Sequence, residues 1–409
     1  MMSAEHMKKY PIGNLQPDVE SLLAWNEVAP ADFELASAEE KKNFIAQRES
    51  VSYWADAWRR LKKNRVAMVA LGVLGLLLLF AFAGPFFIPY AYDETSKTAG
   101  NLYYYHYTLE EQAAIEEAME AAKSAGRRDA SQKSIARELG ISAKPFGYSV
   151  QELERIAAGE AVFPHILGTD TLGRDILVRV MVGTRMSMVI GVCAALIVLL
   201  IGATYGAVSG YAGGRVDTVM MRIVELIYSI PEILVVLLLV TSLKPIIDDY
   251  LLHHPETGIA KFIAVIGPSI LSIFIAFGLM YWVSMSRIIR GQVLQLKQQE
   301  YITAARALGA SGGRIIRRHL LPNCIGQIVV TTCLQIPSAI FLESFLSFLG
   351  LGVSAPLTSL GSMASDALNG IYTYTYRLLV PAVVLSVMIL SFNLFGDGLR
   401  DALDPRLKK

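Results

Sequence analysis

Six long apolar runs, set apart by segments dense in charge, give this chain its plan. The first, residues 66–92, has no charged side chain over more than twenty positions, enough to cross about 30 Å of hydrocarbon. Further runs at about 186–214, 219–243, 262–286, 323–350 and 378–396 predict five more spans. Ahead of the first, residues 51–65 carry Trp54, Trp58 and Leu61 at helical spacing, with Arg59, Arg60, Lys62, Lys63 and Arg65 beside the apolar run. That pattern fits a helix lying in the interface with its indoles at headgroup depth. Residues 1–50 are polar and mixed in charge, without the apolar core and cleavage site of a signal peptide, so the first span is expected to serve as its own insertion signal.

Residues 93–186 follow a different rhythm. Thr108 with Glu111 and Ser149 with Glu152 read as capping boxes, and Gly126, Gly140 and Gly159 stand where helices should stop. Ile115, Ala118, Met119 and Ala122, then Ile135 and Leu139, recur at helical spacing, so a small helical insert on the outer face is expected. Its apolar stripes are narrow, which predicts cover from the membrane domain or another subunit. Two readings stay open for it: a platform for a binding protein, or a loop with no separable role.

The insert ends in Gly168-Thr169-Asp170, Gly173-Arg174-Asp175. Beyond these, Val178, Met181, Val182 and Met186 lie on one helical face and Arg179 and Arg185 on others, predicting an amphipathic helix on the outer surface with Asp170 as its cap. Paired carboxylates invite a catalytic reading, but no nucleophile or histidine-rich motif accompanies them; capping and salt bridging fit better. Gly202, Gly206 and Gly210, spaced by four, mark a close packing face on the second span. Within the third and fifth runs, Glu225, Glu232, Gln335 and Glu343 are costly in lipid and are the candidates to line a pathway or gate. Glu225 fits equally a place near the inner interface, paired with Arg222. His253 and His254 beside Asp248, Asp249 and Glu256 sit in what should be a short outer loop, without preset metal geometry.

The segment 287–322 is the richest in signal. Between two spans it places Glu300, Tyr301, Thr303, Ala304, Ala305, Arg306, Ala307, Leu308, Gly309 and Ala310, then Arg314, Arg317, Arg318 and Pro322. The alanines favour a helix with little bulk, able to settle into a partner's groove, and Gly309 is suited to end it in the left-handed region. Composition alone fits a second reading, a juxtamembrane helix that binds lipid. Residues 287–318 hold seven basic side chains and one acidic, while the two short outer loops are neutral to acidic. By the positive-inside rule this loop and both termini are cytoplasmic.

Composition narrows the class. A chain of 409 residues that is 53% hydrophobic and 18% charged is a polytopic membrane protein with soluble parts, and a net charge of +1 gives no ground for a nucleic-acid partner. Cys193, Cys324 and Cys333 lie in or beside apolar runs without metal-ligand spacing, as small apolar residues would.

Ala304-Ala305, Gly309 and Leu321-Pro322 together resemble the cytoplasmic signature loop of permease subunits in bacterial ATP-driven importers. Thr303 stands where that pattern has an acid and His319 where it has isoleucine; the histidine form is similar to the dipeptide and oligopeptide branch. The Gly-Thr-Asp and Gly-Arg-Asp segment, Glu343 and the ending Leu403-Asp-Pro-Arg406 resemble the C-type permease of that branch. The resemblance implies an all-α fold of the type I importer permease kind with six transmembrane helices, an elbow helix at 51–65, and a coupling helix seated in an ATPase cleft. It further implies peptide cargo, a bacterial inner-membrane location, a second homologous permease, two ATPase subunits, an external solute-binding protein and surrounding lipid.

No Gly-x-x-x-x-Gly-Lys-Ser/Thr loop occurs, so the chain is not expected to act as an enzyme or to bind a cofactor; ATP and magnesium belong to the ATPase partners. The competing class is an ion-coupled transporter using the buried glutamates, which would have no use for the basic, alanine-rich loop and for which no internal repeat is visible. An intramembrane hydrolase would need a nucleophile with its base, and none stands at usable spacing.

Overall fold

The computed structural model describes residues 52–127 and 131–403; the predicted polar segment 1–50 and the Asp-Pro-Arg tail lie outside them. The chain divides into two compact units, 1–55 and 56–409, and the following concerns the second, apart from the opening turn of the first helix.

The helix Tyr53–Lys63 buries Ala57 and Leu61 and leaves Trp58 exposed, with Lys62 Nζ 5.3 Å from its ring. Asn64 caps the next helix, Arg65–Phe82, by accepting from the Ala67 amide. This first span is shorter than the apolar run because Gly84-Pro85 breaks it into a 3-10 turn, Gly84–Phe87.

The insert folds about its own small core. Helix Leu109–Ser124 is capped by Thr108 and Glu111, helix Val150–Ala157 by Ser149 and Glu152, and a third capping box, Ser131 with Ser134, opens Gln132–Glu138. Gly126, Gly140 and Gly159 all adopt positive φ at helix ends. Ile115, Ile135 and Ala136 pack with Tyr107, Ala118, Met119 and Ala122, whereas Leu139 is exposed. The only strands among the described residues are the two-residue pair Tyr105–His106 and Lys144–Pro145.

The second span corrects the expected surface helix. Ile176–Ala212 is one helix of 37 residues, with no breaker near position 186 to turn it. Asp175, not Asp170, caps it, accepting from the Val178 amide at 2.9 Å. Arg179 therefore enters the packed interior, where acids meet it. At the other end Gly202, Gly206 and Gly210 lie against the helix Trp282–Leu296: a Cβ on Gly202 would stand 2.8 Å from the Trp282 carbonyl oxygen, and one on Gly210 3.0 Å from that of Arg290.

The third span is also corrected. Gly214–Tyr228 and Glu232–His253 meet at 81° across Ser229 to Pro231, and Glu232–His253 runs far into the segment expected to be a loop. Val236, Val240 and Ile247 keep one face of it buried past Lys244 and Pro245. Gly258–Ile266 follows, and Pro268 starts the fourth span, which runs to Leu296 rather than stopping at 286. Ile325–Phe348 and Tyr376–Leu403 complete the set: among the described residues, five helices are long and apolar enough to cross a membrane, six if the bent pair counts as one. The result is an all-α polytopic membrane protein.

Candidate functional site

Two regions collect the residues singled out in the sequence. At one end of the bundle, the turn after Leu296 leads into the helix Glu300–Ala307. Ile302 is fully buried among Ile289, Val293, Ile315 and Leu320, so the short helix is pegged to the spans on either side of it. Its C-terminus closes as a Schellman motif: Gly309, at φ +79°, donates to the Arg306 carbonyl at 2.9 Å and Ala310 to that of Ala305 at 3.0 Å. Tyr301, Thr303, Ala304, Arg306, Ala307 and Leu308 remain exposed, Leu308 at 87%. An exposed leucine at the tip of a fixed helix is a surface with apolar contact to offer.

The same end holds a clamp that sequence reading missed. Arg290 Nε and Nη2 each donate to the Asp217 carboxylate at 2.6 Å, Ser209 Oγ donates to it at 2.5 Å, and Lys297 Nζ donates to the Gly210 carbonyl at 2.8 Å. Three helices are thereby tied beside the docking loop. Asp217 and Arg290 are 73 positions apart, so no local pattern could have paired them.

The second region is a cavity of about 520 Å³ at the bend, walled by Pro231, Glu232, Tyr281, Ser284, Gln335 and Ser338 among others. Backbone irregularities converge there: the break before Glu232, the junction at Tyr281 between Pro268–Met280 and Trp282–Leu296, and Pro337 within Ile325–Phe348. Irregular backbone at membrane depth is tolerated where it lines a cavity. Of the four pathway candidates, Glu232 and Gln335 are brought together here. Glu225 stands apart, exposed and 2.7 Å from Arg222. Glu343 is fully buried and accepts from Ser187 at 2.8 Å and Ser347 at 2.7 Å, joining the second and fifth spans.

At the opposite end the Gly-Thr-Asp and Gly-Arg-Asp residues form a latch. Gly168 and Gly173, at φ +73° and +76°, press against the backbone of Leu102 and Ser96, leaving no room for a Cβ. Thr169 Oγ1 donates to the Ala99 carbonyl and accepts from the Leu102 amide. Asp170 accepts from Arg174 Nε at 2.7 Å and Arg179 Nη1 at 2.6 Å, while Arg179 also reaches Asp366 at 3.0 Å.

Beside the latch, His165 lies between Asp175 at 2.8 Å and Glu152 at 3.3 Å and stacks on Tyr90. Burial alone would push the imidazole down, but the hydrogen bonds and charges of Asp175 and Glu152 carry it up to about 9. Since this lies above the ordinary 6.5, the stabilisation is complete below about pH 6.5 and is lost as pH rises through about 9, some 3 kcal/mol in all. Hydrogen exchange of the segment around the Gly147–His165 bridge should quicken between these pH values in the wild type. In His165→Gln that added pH dependence should be absent.

Residues 202–409 match the model of the binding-protein-dependent transport system inner membrane component, and residues 52–104 that of the N-terminal membrane domain of oligopeptide transport permease C. The chain belongs to this permease family. It is 38% identical over 94% of its length to the dipeptide transport system permease protein DppC of Bacillus subtilis, covering 95% of that protein. To the oligopeptide transport system permease protein OppC of the same organism it is 37% identical, over 92% of this chain and 97% of the relative. The OppC of Escherichia coli K12 matches at 37% over 88% and 93%. These relatives are permease subunits of transport systems, and this member of the family is a multi-pass membrane protein of the ABC importer type.

Proposed function

We propose that this permease carries peptides inward and is driven by ATPase subunits that grip the helix Glu300–Ala307. The observation that carries the reading is the anchoring of that helix: Ile302 is locked into the core joining the second, fourth and fifth spans, while the surface from Tyr301 to Leu308 is exposed. A push on the exposed side moves the pegged spans together. Two of those spans, the fourth through Tyr281 and Ser284 and the fifth through Gln335 and Ser338, border the cavity at Glu232, so motion at the loop reaches it without a separate relay. Peptide cargo follows the named relatives, and on the same ground we assign a second permease, two ATPases binding ATP and magnesium, and an external solute-binding protein. Both termini and the loop then face the cytoplasm. The ion-coupled alternative is left with Glu232 alone at the cavity, because Glu225 is taken up by Arg222 and Glu343 by serines.

Gly309→Trp tests the docking step. Its chain neighbours aside, none of the described residues lies within 4 Å of a Cβ there, so the indole is expected to meet a partner rather than the permease itself, apart from strain at the positive φ. ATPase subunits should copurify with the tagged wild-type chain in mild detergent and fall about 30-fold or more in the variant. Equal recovery from both would refute docking at this helix.

A further inference from the structure

Past the docking helix the chain makes one turn of helix, Gly312–Ile315, and a single π turn, Ile316–Leu320, before Pro322 leads into the fifth span. Turns of this wider kind are uncommon and often sit at functional places. Arg314, Arg317, Arg318, His319 and Pro322 wall a cavity of about 790 Å³, and no carboxylate is among them. Four other arginines at this end are engaged: Arg290 with Asp217, Arg222 with Glu225, Arg306 over the Tyr211 ring and Arg287 over that of Tyr228. By contrast, none of the three cavity arginines has an acidic, hydrogen-bonding or ring partner among the described residues, and all three are exposed.

We propose that this cavity binds the phosphate of an anionic phospholipid headgroup. Guanidinium groups match phosphate oxygens in paired hydrogen bonds and lose less hydration than ammonium groups would. Spacings of three and four place the arginines as neighbours on the helical surface. Their depth favours lipid over a soluble ligand: the segment runs straight into Ile325–Phe348, with Ile325 exposed at its start, so an acyl chain can follow the apolar surface while its phosphate meets the arginines. Asn323 links the place to the docking helix, its Nδ2 donating to the His319 carbonyl at 2.6 Å and lying 3.4 Å from Tyr301 Oη. A bound headgroup would thus brace the base of the docking loop.

The test uses the full-length chain in nanodiscs of phosphatidylcholine doped with phosphatidylglycerol or cardiolipin, read by native mass spectrometry of retained lipid. Arg317→Gln with Arg318→Gln should lower retained anionic lipid more than tenfold, since each arginine contributes about fivefold. Arg215→Gln with Arg222→Gln removes equal charge at the same end and should leave retention unchanged. All four side chains are exposed, so unchanged thermal melting is expected to show that both proteins fold. Equal lipid loss in the two double variants would reduce the effect to general surface charge and overturn the site. Displacement by excess inorganic phosphate would assign the cavity to free anions and overturn the lipid source. Lipid retained by Arg317→Gln/Arg318→Gln, with loss of copurifying ATPases, would make it an acidic-protein docking surface instead.

Discussion

Asp170→Ala should cost about 3–5 kcal/mol and leave a permease that melts early in detergent and is cut readily by protease between residues 93 and 175. Asp170 is the anion shared by Arg174 and Arg179, and the latter is only 4% exposed. Taking the carboxylate away leaves the buried guanidinium with Asp366, whose side chain is half exposed and so the weaker counterion. The turn would also lose two caps, because Asp170 Oδ1 accepts from the amides of Leu172 and Arg174. Asp170→Asn keeps an acceptor for those amides but not the charge, and is expected to lose roughly half as much. Combining Asp170→Ala with Arg179→Met should recover stability relative to Asp170→Ala alone, because an apolar side chain replaces an unpaired buried charge. A double variant no better than the single one would place the contribution in the turn rather than in the ion pair.

How much of this was legible in the sequence depends on how local each signal is. Capping boxes act over three residues, and Thr108 with Glu111 and Ser149 with Glu152 can be read directly. Gly309 is legible for the same reason, since a helix end requiring positive φ selects glycine. The third run misled because hydropathy sums over a window, so two helices meeting at 81° score as one span; Pro231 signals a break but not its angle. The stretch around Lys244 read as loop because its charges are visible in sequence and the buried stripe through Val240 and Ile247 shows only against its neighbours. At the candidate site, intramembrane carboxylates announce themselves by cost, yet their roles depend on distant partners. Glu343 finds Ser187, 156 positions away, and becomes a strut; Glu232 meets the bend and faces the cavity. Three exposed arginines likewise look alike on paper until the paired ones around them are known.

Gly206→Leu should abolish the folded membrane domain. A Cβ on Gly206 would press into the Ser286 carbonyl oxygen, closer than real Cβ atoms come, with the Ser286 carbonyl carbon at 3.0 Å. Both atoms are backbone, so no rotamer change relieves the clash, and the two helices would have to part. The opening would spread, because the same contact line carries Gly202 and Gly210 and continues to the Asp217–Arg290 clamp and the pegged Ile302. Overpacking typically costs about 1–3 kcal/mol, and Gly206→Ala should fall at the upper end, visible as a lowered melting temperature. Leucine adds three more carbons at the same point and should yield aggregate rather than a monodisperse peak on size exclusion. Gly75→Leu is the matched control, since open space surrounds that position on the first span, and it should elute and melt as the wild type does. If Gly206→Leu folded normally, the second and fourth spans would not be held at this separation in the membrane. The docking loop would then lose the rigid link to the cavity on which the coupling proposal rests.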